Sequence, residues 1–271
     1  LIGIKVMYEF NYQKAASIDE AKSFHDAAEE PKYMSGGMTL LPTLKQRLAR
    51  PSNVIDLAAV PNMSGVEVTS DKVTILARTP HAVVNSNPDL QRTIPALAKL
   101  AGGIGDPMVR NRGTIGGSIA NSDPAADYPG SIVGLGATVH TDRREIAADD
   151  FFLDLFETAL EEGEIITKVT YPVPDRAGYM KFPNPASRYC IVGVMVSQKG
   201  SDVRVGVTGA GACAFRVPEM EAALASNFAP ESVAEIKISP DGLNEDIHAS
   251  AEYRAHLVTI MAKRAVAEAI A

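Results

Sequence analysis

Cysteine is scarce in this chain: Cys190 and Cys213 are the only two in 271 residues. They are far apart and form no CxxC pair, disulfide framework or iron–sulfur ligand run. Both read as small core residues. A basic excess is also missing. Lys and Arg total 26 against 33 Asp and Glu, with no basic tract, which argues against a nucleic-acid partner. No run of 18 or more apolar residues occurs, so no transmembrane segment is expected. The five histidines, His25, His81, His140, His248 and His256, are scattered. They make no HExxH and no metal spacing, and each reads as a surface residue. The stretch Leu1–Tyr8 is too short for a signal peptide, and the residues before Met7 read as a start-site artefact. A soluble protein of a reducing compartment is the simplest reading.

What is present is an alternation of helical and strand patterns. Residues 17–30 read as a helix capped by Ser17 or Asp19, with Ala21, Phe24, Ala27 and Ala28 on its apolar face. A strand at Lys32–Ser35, a helix over Leu40–Leu48 and a β segment at Val54–Leu57 complete a small α/β unit. Strands follow at Gly65–Val68 and Val73–Leu76 around a Ser70-Asp71 turn. A helix at Ile94–Ala101 precedes a turn-rich stretch from Gly102 to Gly136. Further strands lie at Ala137–Thr141 and Ile165–Tyr171. The run Pro172–Gly178 reads as a linker. Beyond it, Ile191–Ser197 and Val203–Thr208 pair through a turn at Lys199–Ser201. Helices at Pro218–Ala225 and Tyr253–Ala271 end the chain.

Two glycine pairs could carry chemistry. Ser35-Gly36-Gly37-Met38-Thr39 follows a strand and precedes a helical stretch. Paired glycines permit positive φ and close backbone approach, and successive N–H groups there form an anion-binding concavity. A purely structural turn is the competing reading. The second segment runs from Arg112 through Thr114-Ile115-Gly116-Gly117-Ser118 to Asn121, then Asp123 and Asp127. Its N–H groups with Thr114 or Ser118 suit phosphate oxygens, and Asp127 suits sugar hydroxyls. A surface Ω-loop competes with that reading. Arg110 and Arg112 read as loop-fixing residues, with a phosphate or partner contact as the option. Two phosphate-friendly loops on separate segments imply a dinucleotide held between subdomains. Gly209–Ala214 matches GxGxxA, but no helix is expected to open there, as a Rossmann site requires.

These segments resemble a known family. SGGMTLLPTLKQRLARPSNVIDL and IGDPMVRNRGTIGGSIANSDPAADYP are similar to the two flavin-binding segments of medium subunits of molybdenum hydroxylases of the carbon monoxide dehydrogenase and xanthine dehydrogenase type. KFPNPASRYCIVGVMV and ASAEYRAHLVTIMAKRAV resemble segments of that family's C-terminal domain. The resemblance implies an α+β chain. Residues 1–175 would form a two-subdomain FAD-binding fold of the vanillyl-alcohol oxidase (PCMH) type, divided near residue 57. Residues 178–271 would form a small α+β domain. Ser35–Thr39 and Thr114–Ser118 would hold the FAD pyrophosphate. Lys32, Met34, Asn121 and Asp127 match positions that approach the cofactor. Ile104, Ile165 and Ile166 match apolar positions near flavin or adenine, Lys181 a lysine near the ring, and Tyr189 a residue beside it. The family's first motif usually begins with Ala where Ser35 stands and is polar at the position of Met38. Backbone contacts should survive both changes, but a side-chain contact from Met38 should not.

The implied partners are a [2Fe–2S] small subunit and a molybdenum-cofactor large subunit, in a dimer of heterotrimers. The implied location is the cytoplasm, with the inner face of the membrane as an option through the complex. The expected role is electron transfer from the clusters to an acceptor, with no catalytic residue and no metal in this chain. Two other readings remain open: a stand-alone flavin oxidase or dehydrogenase, and an assembly protein that has lost FAD.

Overall fold

Three sheets account for most of the strands in the computed structural model, which describes residues 7–271. The supposed start-site leader before Met7 lies outside the described residues. The first sheet collects β1 (Asn11–Lys14), β2 (Pro31–Met34) and β3 (Asn53–Asp56) in the order β1-β3-β2, all parallel. Its crossovers are α1 (Ile18–Asp26) and α2 (Leu40–Lys45). Ser17 starts α1 by accepting Glu20 N at 3.1 Å, as an N-cap should. The helix stops short of the expected residue 30. Glu30 N donates to Ser52 Oγ and Glu30 O accepts Ser52 N. With Pro31 next, those bonds draw the chain into extended structure.

The second sheet is antiparallel, in the order β4-β5-β10-β6-β7. It is built from β4 (Val66–Val68), β5 (Lys72–Leu76), β6 (Thr138–Thr141), β7 (Glu145–Ala147) and β10 (Ile166–Pro172). Six helices fill the gap between β5 and β6: α3 (His81–Ser86), α4 (Pro88–Thr93), α5 (Pro95–Gly102), α6 (Pro107–Arg110), α7 (Ile115–Asn121) and α8 (Tyr128–Gly134). This corrects the expectation of turns from Gly102 to Gly136. Local caps override the glycine content: Asp106 Oδ1 accepts Val109 N at 2.9 Å and Thr114 Oγ1 accepts Gly117 N at 3.2 Å. After β7 come α9 (Ala148–Phe151) and a small hairpin of β8 (Phe152–Asp154) and β9 (Glu157–Thr158).

The third sheet has the order β11-β12-β13-β14, with antiparallel neighbours. It comprises β11 (Arg176–Pro183), β12 (Cys190–Lys199), β13 (Asp202–Thr208) and β14 (Phe215–Arg216). Helices α10 (Pro218–Ser226), α11 (Pro230–Val233) and α12 (Ala251–Ala269) follow, and α12 packs on β11 and β12. The expected linker is mostly strand: β10 runs to Pro172 and β11 begins at Arg176, leaving Val173–Asp175 between them. Two apolar cores result. One takes residues from Ala15 to Tyr171 but also Tyr179, Met195 and Ala214. The other lies between the third sheet and α10–α12. Helix α8 packs against β12 and β13, so the segments on either side of residue 175 share a packed face. No helix among the described residues is long and apolar enough to cross a membrane.

Candidate functional site

The two glycine segments, 79 residues apart at Ser35 and Thr114, meet directly. Ser35 Oγ and Thr114 Oγ1 share a hydrogen bond of 3.0 Å. A Cβ on Gly36 would overlap the Arg112 carbonyl, so only glycine allows this backbone approach. Gly37 is buried at φ +73°, beside the Leu41 side chain and the Met34 sulfur. Met38 is half-buried, Thr39 and Lys32 are exposed, and β2 ends at Met34.

The free donors belong to the first loop. Among the described residues, the N–H groups of Ser35, Gly36, Gly37, Met38 and Thr39 take no protein acceptor. Such a consecutive row is an anion cradle without an occupant from its own chain. The amides of the second loop, expected to share that task, are bonded within the chain. Ile115 N donates to Thr79 O, Gly116 N to Ala77 O at 2.8 Å, Gly117 N to Thr114 Oγ1 and Ser118 N to Thr114 O. Ile115 and Gly116 are buried, whereas Gly117 is exposed and Ser118 and Asn121 are half-buried. A Cβ on Gly117 would lie 2.9 Å from Thr114 Oγ1. The second loop lies directly against the first, through the Ser35–Thr114 bond and the Gly36 approach to Arg112 and Gly113. Arg110 fixes the approach to it, donating to the carbonyls of Ile104 and Gly105 at 3.0 Å each.

Asp127 is buried rather than open to a sugar. Its Oδ1 accepts the Tyr179 hydroxyl at 2.6 Å and pairs with the Lys181 ammonium at 2.8 Å. Burial pushes the Asp127 carboxyl up, and Lys181 and Tyr179 pull it back only in part. Lys181 also donates to Gly103 O at 2.9 Å and Arg188 O at 3.0 Å. One side chain thus ties together the half-buried Ile104 turn, the Tyr189 loop and the second glycine segment. The third sheet grips the same segment through its backbone. Cys190 N donates to Ala125 O, Gly209 N to Pro124 O and Thr208 Oγ1 to Ala126 O. Tyr179 escaped the sequence reading, although its place two residues before Lys181 on one strand puts both on the same face. Tyr189 is half exposed. Ile165 and Ile166 are core residues, and the Ile165 amide and carbonyl are both bonded to Asp142.

His81 corrects another expectation. It is 4% exposed, its Nδ1 has no partner among the described residues, and a Cβ on Gly113 would lie 2.6 Å from its Nε2. Burial, with a lesser push from Arg110, lowers its pKa to about 4, so the imidazole is neutral behind the second loop. Nothing in its sequence neighbourhood marks it as buried. Gly209–Ala214 leads into β14 and opens no helix. No group of three His, Cys, Asp or Glu able to hold a metal occurs among the described residues.

The row of free amides, the glycine-limited approach and the interlocked loops fit the diphosphate of a dinucleotide. Known proteins agree. Residues 8–174 match the family described as "FAD binding domain in molybdopterin dehydrogenase". The chain is 36% identical to the nicotine 6-hydroxylase medium subunit of Paenarthrobacter nicotinovorans, over 95% of this chain and 96% of that one. It is 31% identical to the carbon monoxide dehydrogenase medium chain of Hydrogenophaga pseudoflava, over 95% and 96%. A solved structure of carbon monoxide dehydrogenase from that organism superposes with a TM-score of 0.85 at 30% identity, covering 98% of both chains. The resemblance read from the two motifs holds, and the chain belongs to the family of FAD-binding medium subunits of molybdenum hydroxylases.

Proposed function

We propose that this chain is the electron-transfer flavoprotein of a three-subunit molybdenum hydroxylase. It takes electrons from a [2Fe–2S] subunit and passes them to an acceptor, while another subunit oxidises the substrate. The observation that carries the reading is the free amide row of Ser35–Thr39, walled by Thr114–Ser118. Bound there, FAD supplies exchange between one-electron and two-electron carriers. The chain's own residues position it. Ser35–Thr39 receive the diphosphate. Lys32, Met34, Ile104, Asn121, Ile165 and Ile166 border the cofactor. Asp127, Lys181 and Tyr189 stand on the flavin side, with Lys181 as the one cation in that group. Residues up to about 175 serve as the cofactor domain and residues 178–271 as the domain that clamps it. The relatives' names cover nicotine and carbon monoxide, which supports placing substrate choice in another subunit.

The test compares complexes carrying the native chain, Gly117→Val and Lys199→Ala. Gly117→Val crowds the Thr114 cap and is expected to weaken FAD binding at least tenfold. Its complex should still reduce the clusters with substrate but fail to reduce the acceptor. Lys199→Ala, at the last residue of β12, should match the native chain. Undiminished acceptor turnover by an FAD-free Gly117→Val complex would contradict the relay.

A further inference from the structure

Tyr179 is held from two helices at once, although it lies outside every motif of the sequence. It is buried on β11. Its amide donates to Glu268 Oε2 of α12 at 3.1 Å, and its carbonyl accepts the Lys99 ammonium of α5 at 3.2 Å. Lys99 and Glu268 are themselves paired at 2.7 Å. The phenol then passes Gly193, where a Cβ would lie 2.7 Å from the Tyr179 oxygen and 2.8 Å from Cys190 Sγ. Gly193 sits opposite Lys181 across the two strands. The absence of a side chain there leaves the room in which the Tyr179 hydroxyl reaches Asp127 Oδ1. A buried phenol needs such a partner.

What that hydroxyl touches governs a charge. Asp127 Oδ1 accepts the Tyr179 hydroxyl at 2.6 Å and pairs with Lys181 at 2.8 Å. The three N–H groups of the Lys181 ammonium are taken by Asp127, Gly103 O and Arg188 O. Among the described residues Asp127 is its one counter-charge. The other titratable groups near the carboxylate are Cys190 on β12 and Tyr128 on α8, both pushed up by burial and so neutral, with Tyr171 of β10 beyond Tyr128. Arg254 of α12 lies beyond Cys190 and is paired with Asp246. Burial favours the protonated acid at Asp127, and Lys181 and Tyr179 oppose it. A protonated Asp127 would leave Lys181 buried without a counter-charge. The carboxylate also stands at the end of the second glycine segment, which bonds Ser35 through Thr114.

We propose that Tyr179 is a positioning residue: its hydroxyl holds the Asp127 carboxylate on the Lys181 ammonium, and through Asp127 it sets how firmly the second glycine segment is held against the FAD cradle. The proposal rests on the placement of FAD at the two glycine segments given above. It makes the third sheet's grip on that segment dependent on one buried charge as well as on backbone bonds. A grip that works by packing alone is indifferent to pH. One that works through a carboxylate loosens when the carboxylate takes up a proton, because the pair with Lys181 is lost.

The test follows FAD binding to the full-length chain by flavin fluorescence as the pH is lowered from 8 to 4. Native affinity should fall roughly tenfold or more as Asp127 is protonated. Tyr179→Phe keeps the ring and removes one donor to a charged acceptor. Its fall should begin at higher pH, with the midpoint raised by roughly one unit. A 3-fluorotyrosine in place of Tyr179 keeps the fold and donates more strongly, so its midpoint should move down; it carries the test should Tyr179→Phe fail to fold. Asp127→Asn should bind FAD weakly and lack this step, leaving only the titration of His81 at about 4. A midpoint unmoved in the Tyr179 variants, or an affinity lowered equally at every pH, would overturn the positioning role. The native pH step surviving in Asp127→Asn would also overturn it. Native FAD affinity in Gly117→Val would overturn the placement of FAD instead.

Discussion

Glu164 sits where the exposed turn at 161–163 meets the buried pair Ile165 and Ile166, and its carboxylate shows how one residue stiffens the wall of the cofactor domain. Burial opposes its ionisation. Hydrogen bonds from Arg144, the Glu161 amide and Thr141 outweigh that burial, together with the Arg144 charge, and hold the carboxyl at about 2. An unfolded chain would titrate this group near 4.5. The ionised form therefore favours the fold above that value, and the stabilisation is lost as pH falls from about 4.5 through about 2. Urea unfolding between pH 6 and pH 3 should show the native chain losing up to about 2 kcal/mol more than Glu164→Gln. Equal losses would show that this carboxylate is not held low in the fold. At this scale the sequence was legible wherever a residue's job is set by its neighbours in the chain, as with Ser17, which caps α1. It was illegible where the job depends on distant partners. Asp127 reads as a sugar acceptor until Tyr179 and Lys181 are placed on it, and His81 reads as a surface residue until Gly113 closes over it.

The elements best foreseen are those with both a period and a cap. Ser17 announces α1, and the strands flanking Ser70-Asp71 and Lys199–Ser201 fall where alternation puts them. The short helices α6, α7 and α8 were hidden by composition, because glycine is a poor helix former and suggests turns. Their formation depends on the caps of α6 and α7 and on packing of α6 against α3, α7 against β5 and β10, and α8 against β12 and β13, which no local window contains. Helix α7 is the element on which the site turns, and Thr114 does two jobs in it. Its hydroxyl caps Gly117 N and bonds Ser35 across the loops. Thr114→Ala should destabilise the apo-protein by about 1 kcal/mol and weaken FAD binding as well. Thr114→Ser, which keeps the hydroxyl, should restore most of both. Urea unfolding of the apo-protein and FAD titration measure the two effects separately. Full FAD affinity in Thr114→Ala would show that the loops meet without needing this bond.

For the whole molecule, the apparent boundary at Pro172–Gly178 is a change of sheet rather than a break in packing. Tyr179 and Met195 complete the first core, and the third sheet holds Pro124, Ala125, Ala126 and Asp127. The two parts should therefore unfold in one calorimetric transition, and a fragment ending at residue 175 should lose FAD. Two well-separated transitions, or full FAD affinity in the fragment, would show that the cofactor domain stands alone. The larger claim is that this chain relays electrons and does not extract them from substrate. The measurement that bears on it most directly is anaerobic flavin bleaching on addition of substrate, with and without the iron–sulfur and molybdenum subunits. The FAD-loaded chain alone should stay yellow and bleach only when both partners are present. Bleaching of the isolated chain at the rate of the full complex would contradict the relay and mark a self-sufficient flavin dehydrogenase.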